Sequence, residues 1–387
     1  MAIGQGGTQG GGAAAVGAAG RDIRLDFFRG LALIFIFLDH IPDNALNWAT
    51  IRNFGFSDAS EIFVFVSGYS AALAYGSGLA RDGFGFTAAR IWKRCWQIYV
   101  AQILLFVAFT AQVAYTAAHF NNPMFSEEMN IVDFLNAPHV TLLQALLLRF
   151  RPANMDILPL YIVLLGAFPP VLWAASKRPG LTVALSAALY LLGIFTHWNL
   201  DAWPDGKWLF NPLTWQFLFV IGAALAMTRG RNDRLLRRRR WAVGLAAAYL
   251  LAALLMALSW HFAWLERLVP DVVQSLLYPI DKTNLDILRL LHFLALAYLI
   301  SVVVPVDSPI LGWPALRPVV RCGQHSLEVF CLGLFLSFLG HMVLVEVDGS
   351  WASQLAVSAL GIALMVGMGY YLQWYRRTER AAAGGKR

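Results

Sequence analysis

The stretch RDIRLDFFRGLALIFIFLDHIPDN, Arg21 to Asn44, decides the fold. Its residues 25 to 40 are apolar enough to enter a bilayer, yet they include Asp26, Arg29, Asp39 and His40. The rest of the chain says which solvent applies. Of 387 residues, 58% are hydrophobic and 14% charged, against roughly 25% charged in a soluble domain. A soluble globule is nearly excluded. The excess of 30 Lys and Arg over 23 Asp and Glu is explained by membrane topology, so it implies no nucleic-acid partner.

A window of about 19 residues finds ten apolar stretches, near 25–40, 59–79, 97–118, 157–175, 181–196, 212–228, 241–262, 286–304, 323–345 and 351–374. The expected fold is all-α, a polytopic bundle of about ten transmembrane helices. Positive charge stays on the cytoplasmic side. With the N-terminus inside, 22 Lys and Arg fall in inside segments and six outside: Arg52, Arg149, Arg151, Lys207, Arg267 and Lys282. Arg29 and Arg289 lie within spans. Both termini are therefore expected in the cytoplasm, and dropping one helix would destroy the pattern.

Residues 1–20 hold eight glycines and six alanines without charge, the composition of a disordered tail. Residues 21–376 are expected to form the transmembrane domain, and 377–387 a basic cytoplasmic tail. No charged n-region and short apolar core precede a cleavage site, so the first apolar stretch stays as an anchor. Residues 131–151 are expected as an external helix lying on the bilayer surface, with a short re-entrant piece as the alternative. The run from Arg234 to Arg240 reads as a topology anchor facing anionic lipid. Cys95, Cys322 and Cys331 are an odd set without CxxC spacing, which suggests neither a disulfide framework nor a zinc site. No Walker loop, Rossmann glycine pattern or HExxH occurs. No internal repeat of the kind common in secondary transporters is visible.

An ionisable residue within a span costs roughly 2.5–3.5 kcal/mol on insertion scales, so each needs a reason. The eleven steps from Arg29 to His40 make about three helical turns and about 16.5 Å of rise, which puts both side chains on one face. A self-neutralising Asp26–Arg29 pair and a wetted interfacial His40 form the competing account. The second stretch opens Ser57-Asp58-Ala59-Ser60-Glu61, placing Asp58 and Glu61 at the membrane depth of His40. These two carboxylates also fit a helix N-cap, and the roles are compatible. Asp286, Arg289 and His292 form a second polar cluster at i, i+3 and i+6. There, simple Asp286–Arg289 pairing competes with a functional role.

The run from Arg21 to Asn44, followed by FGFSDASEIFVFVSGYSAALAYG from Phe54 to Gly76, resembles the OpgC family of membrane succinyltransferases acting on osmoregulated periplasmic glucans. More distantly it is similar to the transmembrane acyltransferases in which arginine, ten residues and histidine occupy the first helix, here Arg29 and His40. Phe65-Val66-Ser67-Gly68-Tyr69 likewise resembles an aromatic-x-Ser-Gly-aromatic motif of that superfamily. KTNLDILRLLHFLALA, Lys282 to Ala297, and CGQHSLEVFCLG, Cys322 to Gly333, are also similar to OpgC-type sequences.

The resemblance implies an acyl-CoA-dependent O-acyltransferase of the bacterial inner membrane. It would move an acyl group, succinyl by family similarity, from cytoplasmic acyl-CoA to a hydroxyl of a periplasmic glucan. Acyl-CoA enters as cosubstrate, no bound cofactor or metal is expected, and membrane lipids and the glucan are the other partners. A sugar hydroxyl is a poor nucleophile until its proton is taken. His40 is the expected general base, with Asp58, Glu61 or Asp39 orienting it. Arg29, with Asp26 and Ser67, would receive the donor's pantetheine arm. Arg289 and His292 would meet the acyl carboxylate or an oxyanion. Gln324, Ser326, Arg90, Lys93 and Arg94 lie at the level of the coenzyme A nucleotide. The residues leave open direct attack versus an acyl-His40 intermediate. External tryptophans, Trp203 and Trp208 first and Trp48, Trp198, Trp260, Trp264 and Trp351 after them, fit sugar stacking or an interfacial belt. A transporter or exporter of a small anion or glycan, its path lined by Arg29, Arg289 and the carboxylates, is the alternative function.

Overall fold

The computed structural model describes residues 22–229, 239–306 and 308–384. The Gly/Ala-rich segment 1–20 and residues 234–238 of the arginine run lie outside them. All regular elements among the described residues are helical; an antiparallel bridge joins Asp201 and Lys207.

Helix α1 (Ile23–Asp39) begins where the Asp22 carboxylate accepts from the Arg24 amide and ends at His40, its C-cap. Helix α2 (Ala59–Phe120) runs 62 residues and takes in both the second and the third apolar stretches. Its one non-helical residue is Gly83, at φ 80°, a conformation glycine adopts without steric penalty. The charged segment expected to be a loop between those stretches is thus helical on both sides of a kink. Arg81, Arg90, Lys93 and Arg94 lower hydropathy there, but Arg and Lys are good helix formers.

Three short helices follow, α3 (Met124–Glu128), α4 (Val132–Asn136) and α5 (Pro138–Leu146). The single surface helix expected over 131–151 is divided at Ala137, because the ring of Pro138 disfavours helical backbone in the residue before it. The fourth apolar stretch is also broken, into α6 (Ile157–Gly166) and α7 (Phe168–Lys177), bent by 55°. Pro169 and Pro170 remove two amide donors at that bend.

The remaining long helices are α8 (Pro179–Thr196), α9 (Pro212–Met227) and α10 (Arg240–Ser259). Short α11 (Ala263–Glu266) and α12 (Asp271–Leu277) lead to α13 (Ile287–Val303). The chain closes with α14 (Arg317–Gln324), α15 (Ser326–Glu346) and α16 (Trp351–Gly384). Among the described residues, five helices are long and apolar enough to cross a membrane, or six if the bent α6–α7 pair is one span, and α9 and α13 are shorter apolar helices. Large apolar side chains such as Leu104, Leu191, Leu245 and Leu360 point outward. That surface suits lipid, where apolar exposure carries no hydration penalty.

With little hydrophobic force between helices in lipid, close backbone approach through small residues binds them. Gly30 on α1 abuts the Val319 carbonyl of α14, and Gly323 on α14 abuts the Asp26 carbonyl of α1. Gly68 on α2 and Gly222 on α9 do the same with the Phe219 and Phe65 carbonyls. Between these seams lies an aromatic core that includes Phe37, Phe106, Phe109, Trp215, Phe219 and Phe330.

Candidate active site

The turn after α1, the start of α2 and the 278–289 segment converge on a cavity of about 820 Å³. Asp39, His40, Arg52, Asp58, Lys282 and Arg289 all line it. His40 arrives there because the helix unwinds at its own position, with Pro42 following. Its Nδ1 is buried without a hydrogen-bond partner, so the imidazole retains an unused donor or acceptor at the cavity wall.

The three carboxylates expected to orient His40 have other partners. Asp39 Oδ1 accepts from the Thr50 hydroxyl at 2.7 Å and lies 4.0 Å from the Arg52 guanidinium. Asp58 is the N-cap of α2: its Oδ1 accepts from the Ser60 amide at 2.8 Å, and its own amide donates to Glu61 Oε2 at 2.8 Å, completing a capping box. Asp58 Oδ2 accepts from Lys282 Nζ at 2.7 Å and from Arg289 at 3.0 Å. Burial alone would raise the Asp58 carboxyl, but the Lys282 ammonium and the Arg289 guanidinium hold it well below the usual carboxylate range. Glu61, fully buried, takes Arg289 Nε at 2.8 Å. A fully buried carboxylate and a partly buried one thus share one buried guanidinium and one partly exposed ammonium, the arrangement burial of charge demands.

A second cavity, of about 180 Å³, holds Arg29, Ser67, Ser70, Tyr75, Arg94 and Ser326 among its lining. Arg29 donates to the Ser70 hydroxyl at 2.6 Å and to the Val66 carbonyl at 3.3 Å. Phe330 of α15 lines both cavities. It is 2% exposed and packs against Phe63, which lines the Arg29 cavity, with ring centroids 6.3 Å apart. Arg29 on α1 and His40 at its C-cap therefore open into two chambers that share an aromatic wall.

The other candidates lie nearby or apart. Asp26 accepts from Gln324 at 3.3 Å, and Gln324 in turn takes Arg321 at 2.7 Å, which ties α1 to α14 beside their glycine seam. His292 is buried behind the His40 cavity, its Nδ1 2.7 Å from the Ser57 hydroxyl and its ring against Gly55. Asp286 caps α13 by accepting from the Leu288 amide, so the cluster at 286, 289 and 292 divides among three tasks. Trp208 is buried beneath the Arg151 guanidinium, 4.7 Å from its ring, and Trp203 packs on Phe150. Neither lines the His40 cavity; Trp260 and Tyr278 do.

Arg52, Lys282 and Phe330 joined the site without a signal of their own. Lys282 reads as a loop charge, Arg52 lies in a single 3-10 turn, Ile51–Asn53, between apolar stretches, and Phe330 is one of 26 phenylalanines. The quoted runs that begin at Lys282 and Cys322 were the available signal, since both supply walls of these cavities.

An all-helical membrane protein with a charged cluster in the wall of one of two adjoining chambers is the class that fold and site define. The family model described as OpgC protein matches residues 21–377, and the chain belongs to that family. Neither a curated protein nor a solved structure matches it.

Proposed function

We propose that the chain is an integral-membrane O-acyltransferase that transfers an acyl group, succinyl by family resemblance, from cytoplasmic acyl-CoA to a hydroxyl of a periplasmic glucan. The observation that carries this reading is the shared wall: one helix delivers Arg29 to one chamber and His40 to the next, with Phe330 between them. Donor and acceptor occupy different compartments, so a transferase needs two entrances meeting at one base. In this reading the bundle crosses the bacterial inner membrane ten times with both termini inside. The Arg29 chamber then faces the cytoplasm and the His40 chamber the periplasm.

The thioester arm enters beside Arg29, Ser67 and Ser326, whose donors suit its amide carbonyls. Its carbonyl carbon passes Phe330 to reach His40. The imidazole takes the proton of the sugar hydroxyl as the oxygen attacks that carbon. Collapse of the tetrahedral adduct breaks the carbon–sulfur bond, and the imidazolium returns the proton to the departing thiolate. Thioester and alcohol become ester and thiol, with no other reactant. Lys282 and Arg289, anchored by Asp58 and Glu61, supply positive charge beside the developing oxyanion. Arg289 also remains the candidate for contact with a dicarboxylic acyl group.

The test mixes purified protein in lipid nanodiscs with labelled succinyl-CoA and a glucan. Label recovered on the glucan as an alkali-labile ester supports the reading. A protein that binds neither substrate, or that moves intact glucan across a vesicle membrane without esterifying it, is not this enzyme.

A further inference from the structure

The cavity that holds His40 also has an aromatic wall to which the chemistry above gives no task. Trp260, the C-cap of α10, and Tyr278, the C-cap of α12, place their ring centroids 5.8 Å apart at 57°. Phe56 lies behind Trp260 at 6.3 Å and 30°, a near-parallel backing that fixes the plane of the indole. Phe56 is buried, whereas Trp260 is 44% exposed and Tyr278 41%. Asn154 and Asp156 line the same cavity.

An interfacial tryptophan needs only an apolar side and a wet edge. Trp260 has more than that: a braced ring, an aromatic neighbour set at an angle, and hydrogen-bonding groups within one concave surface that also contains His40. A hexose presents an apolar C–H face and a rim of hydroxyls, so its recognition calls for a flat ring beside amide and carboxylate groups.

We infer that Trp260 and Tyr278 form the acceptor platform of the His40 cavity, on which a glucose unit of the glucan stacks while Asn154 and Asp156 hold its hydroxyls. This rests on the acyltransferase reading for the identity of the acceptor, and it adds which wall binds it. The platform holds the sugar ring so that one hydroxyl faces His40. Trp203 and Trp208, by contrast, serve packing of the neighbouring loops.

Binding and transfer are measured separately on the full chain in nanodiscs. Neutral gluco-oligosaccharide is titrated by calorimetry, in His40→Ala as well as in the unsubstituted protein, so that turnover plays no part. Saturable binding in both is expected, weakened about tenfold in Trp260→Ala and mostly recovered in Trp260→Phe. In the transfer assay Trp260→Ala raises KM for the glucan by a similar factor and leaves KM for acyl-CoA unchanged. Oligosaccharide binding that is absent from the unsubstituted protein, or undiminished in Trp260→Ala, overturns the platform. Saturable binding lost in Trp260→Ala, together with no ester formed by the unsubstituted protein, upholds the platform and sinks the transferase reading instead.

Discussion

Arg289 Nε donates to Glu61 Oε1 at 2.8 Å, joining the first turn of α13 to the first turn of α2 across more than two hundred residues of chain. The same guanidinium reaches Asp58 at 3.0 Å. The contact fixes the wall of the cavity that His40 enters from α1, so the site's shape depends on an ion pair as well as on apolar packing.

Removing one partner of a buried pair leaves an uncompensated charge, at a cost of about 3–5 kcal/mol. Arg289→Ala therefore lowers the thermal midpoint of the detergent-solubilised protein, and adding Glu61→Gln in an Arg289→Met background recovers part of the loss. A single variant that melts with the unsubstituted protein contradicts the structural role. Where Arg289→Ala remains folded, its preference for succinyl over acetyl donors is expected to weaken. An unchanged ratio removes Arg289 from donor selection.

His40 sits at the end of α1 with Nδ1 unpartnered, so its truncation breaks no hydrogen bond at that atom. His40→Ala is expected to fold and insert normally while transfer falls by about 100-fold or more, the usual loss when a general base is deleted. Size-exclusion behaviour and melting measure the first part, ester formation the second. Transfer at the unsubstituted rate would remove His40 from the chemistry.

Much of this was legible in the sequence, for reasons particular residues make plain. The ten apolar stretches all overlap helical backbone, the state that satisfies backbone groups in lipid, although among the described residues only five helices, or six with the bent α6–α7 pair, are long and apolar enough to cross a membrane. The Arg29–His40 spacing separated the two residues along α1, but His40 is the C-cap beyond the last helical residue, and the two side chains line different cavities. What failed to carry over was continuity. Hydropathy ends a span at Arg81 and Asp82, whereas helical backbone continues to Gly83 and resumes after it. The cavity walls were hidden for a different reason. Arg52, Lys282, Trp260 and Phe330 converge from four segments, and nothing local to any of them marks which surface it will face. Trp203 and Trp208 looked like loop aromatics available to a sugar, but Arg151 and Phe150 cover them.

The seam between α1 and α14 admits no side chain at Gly30 or Gly323, where an added Cβ would run into the Val319 or Asp26 carbonyl oxygen. Backbone cannot step aside as a flexible side chain can. Gly30→Ala is expected to destabilise by about 1–3 kcal/mol, the range for overpacking, and to reduce the folded yield. Gly244→Ala on α10 meets nothing within 4 Å and is expected to be neutral or slightly stabilising. Equal yields of the two variants would mean that the helices do not approach through this seam.

Phe330 offers the sharpest test of communication between the chambers, because it belongs to both linings and little of it is otherwise exposed. A wall that only fills space and a wall that passes the thioester respond differently to a change of size. Phe330→Leu keeps the site apolar but removes the ring, and it is expected to raise acceptor-independent hydrolysis of acyl-CoA as water gains the donor's carbonyl from the His40 side. Phe330→Trp enlarges the obstruction, and under the proposed mechanism it is expected to depress transfer several-fold while glucan binding at the Trp260 wall is largely retained. Both variants are compared with the unsubstituted protein for thermal midpoint, thioester consumption and ester formed. If neither substitution alters the partition between hydrolysis and transfer, the acyl group does not travel past Phe330, and the two chambers are separate cavities rather than halves of one path.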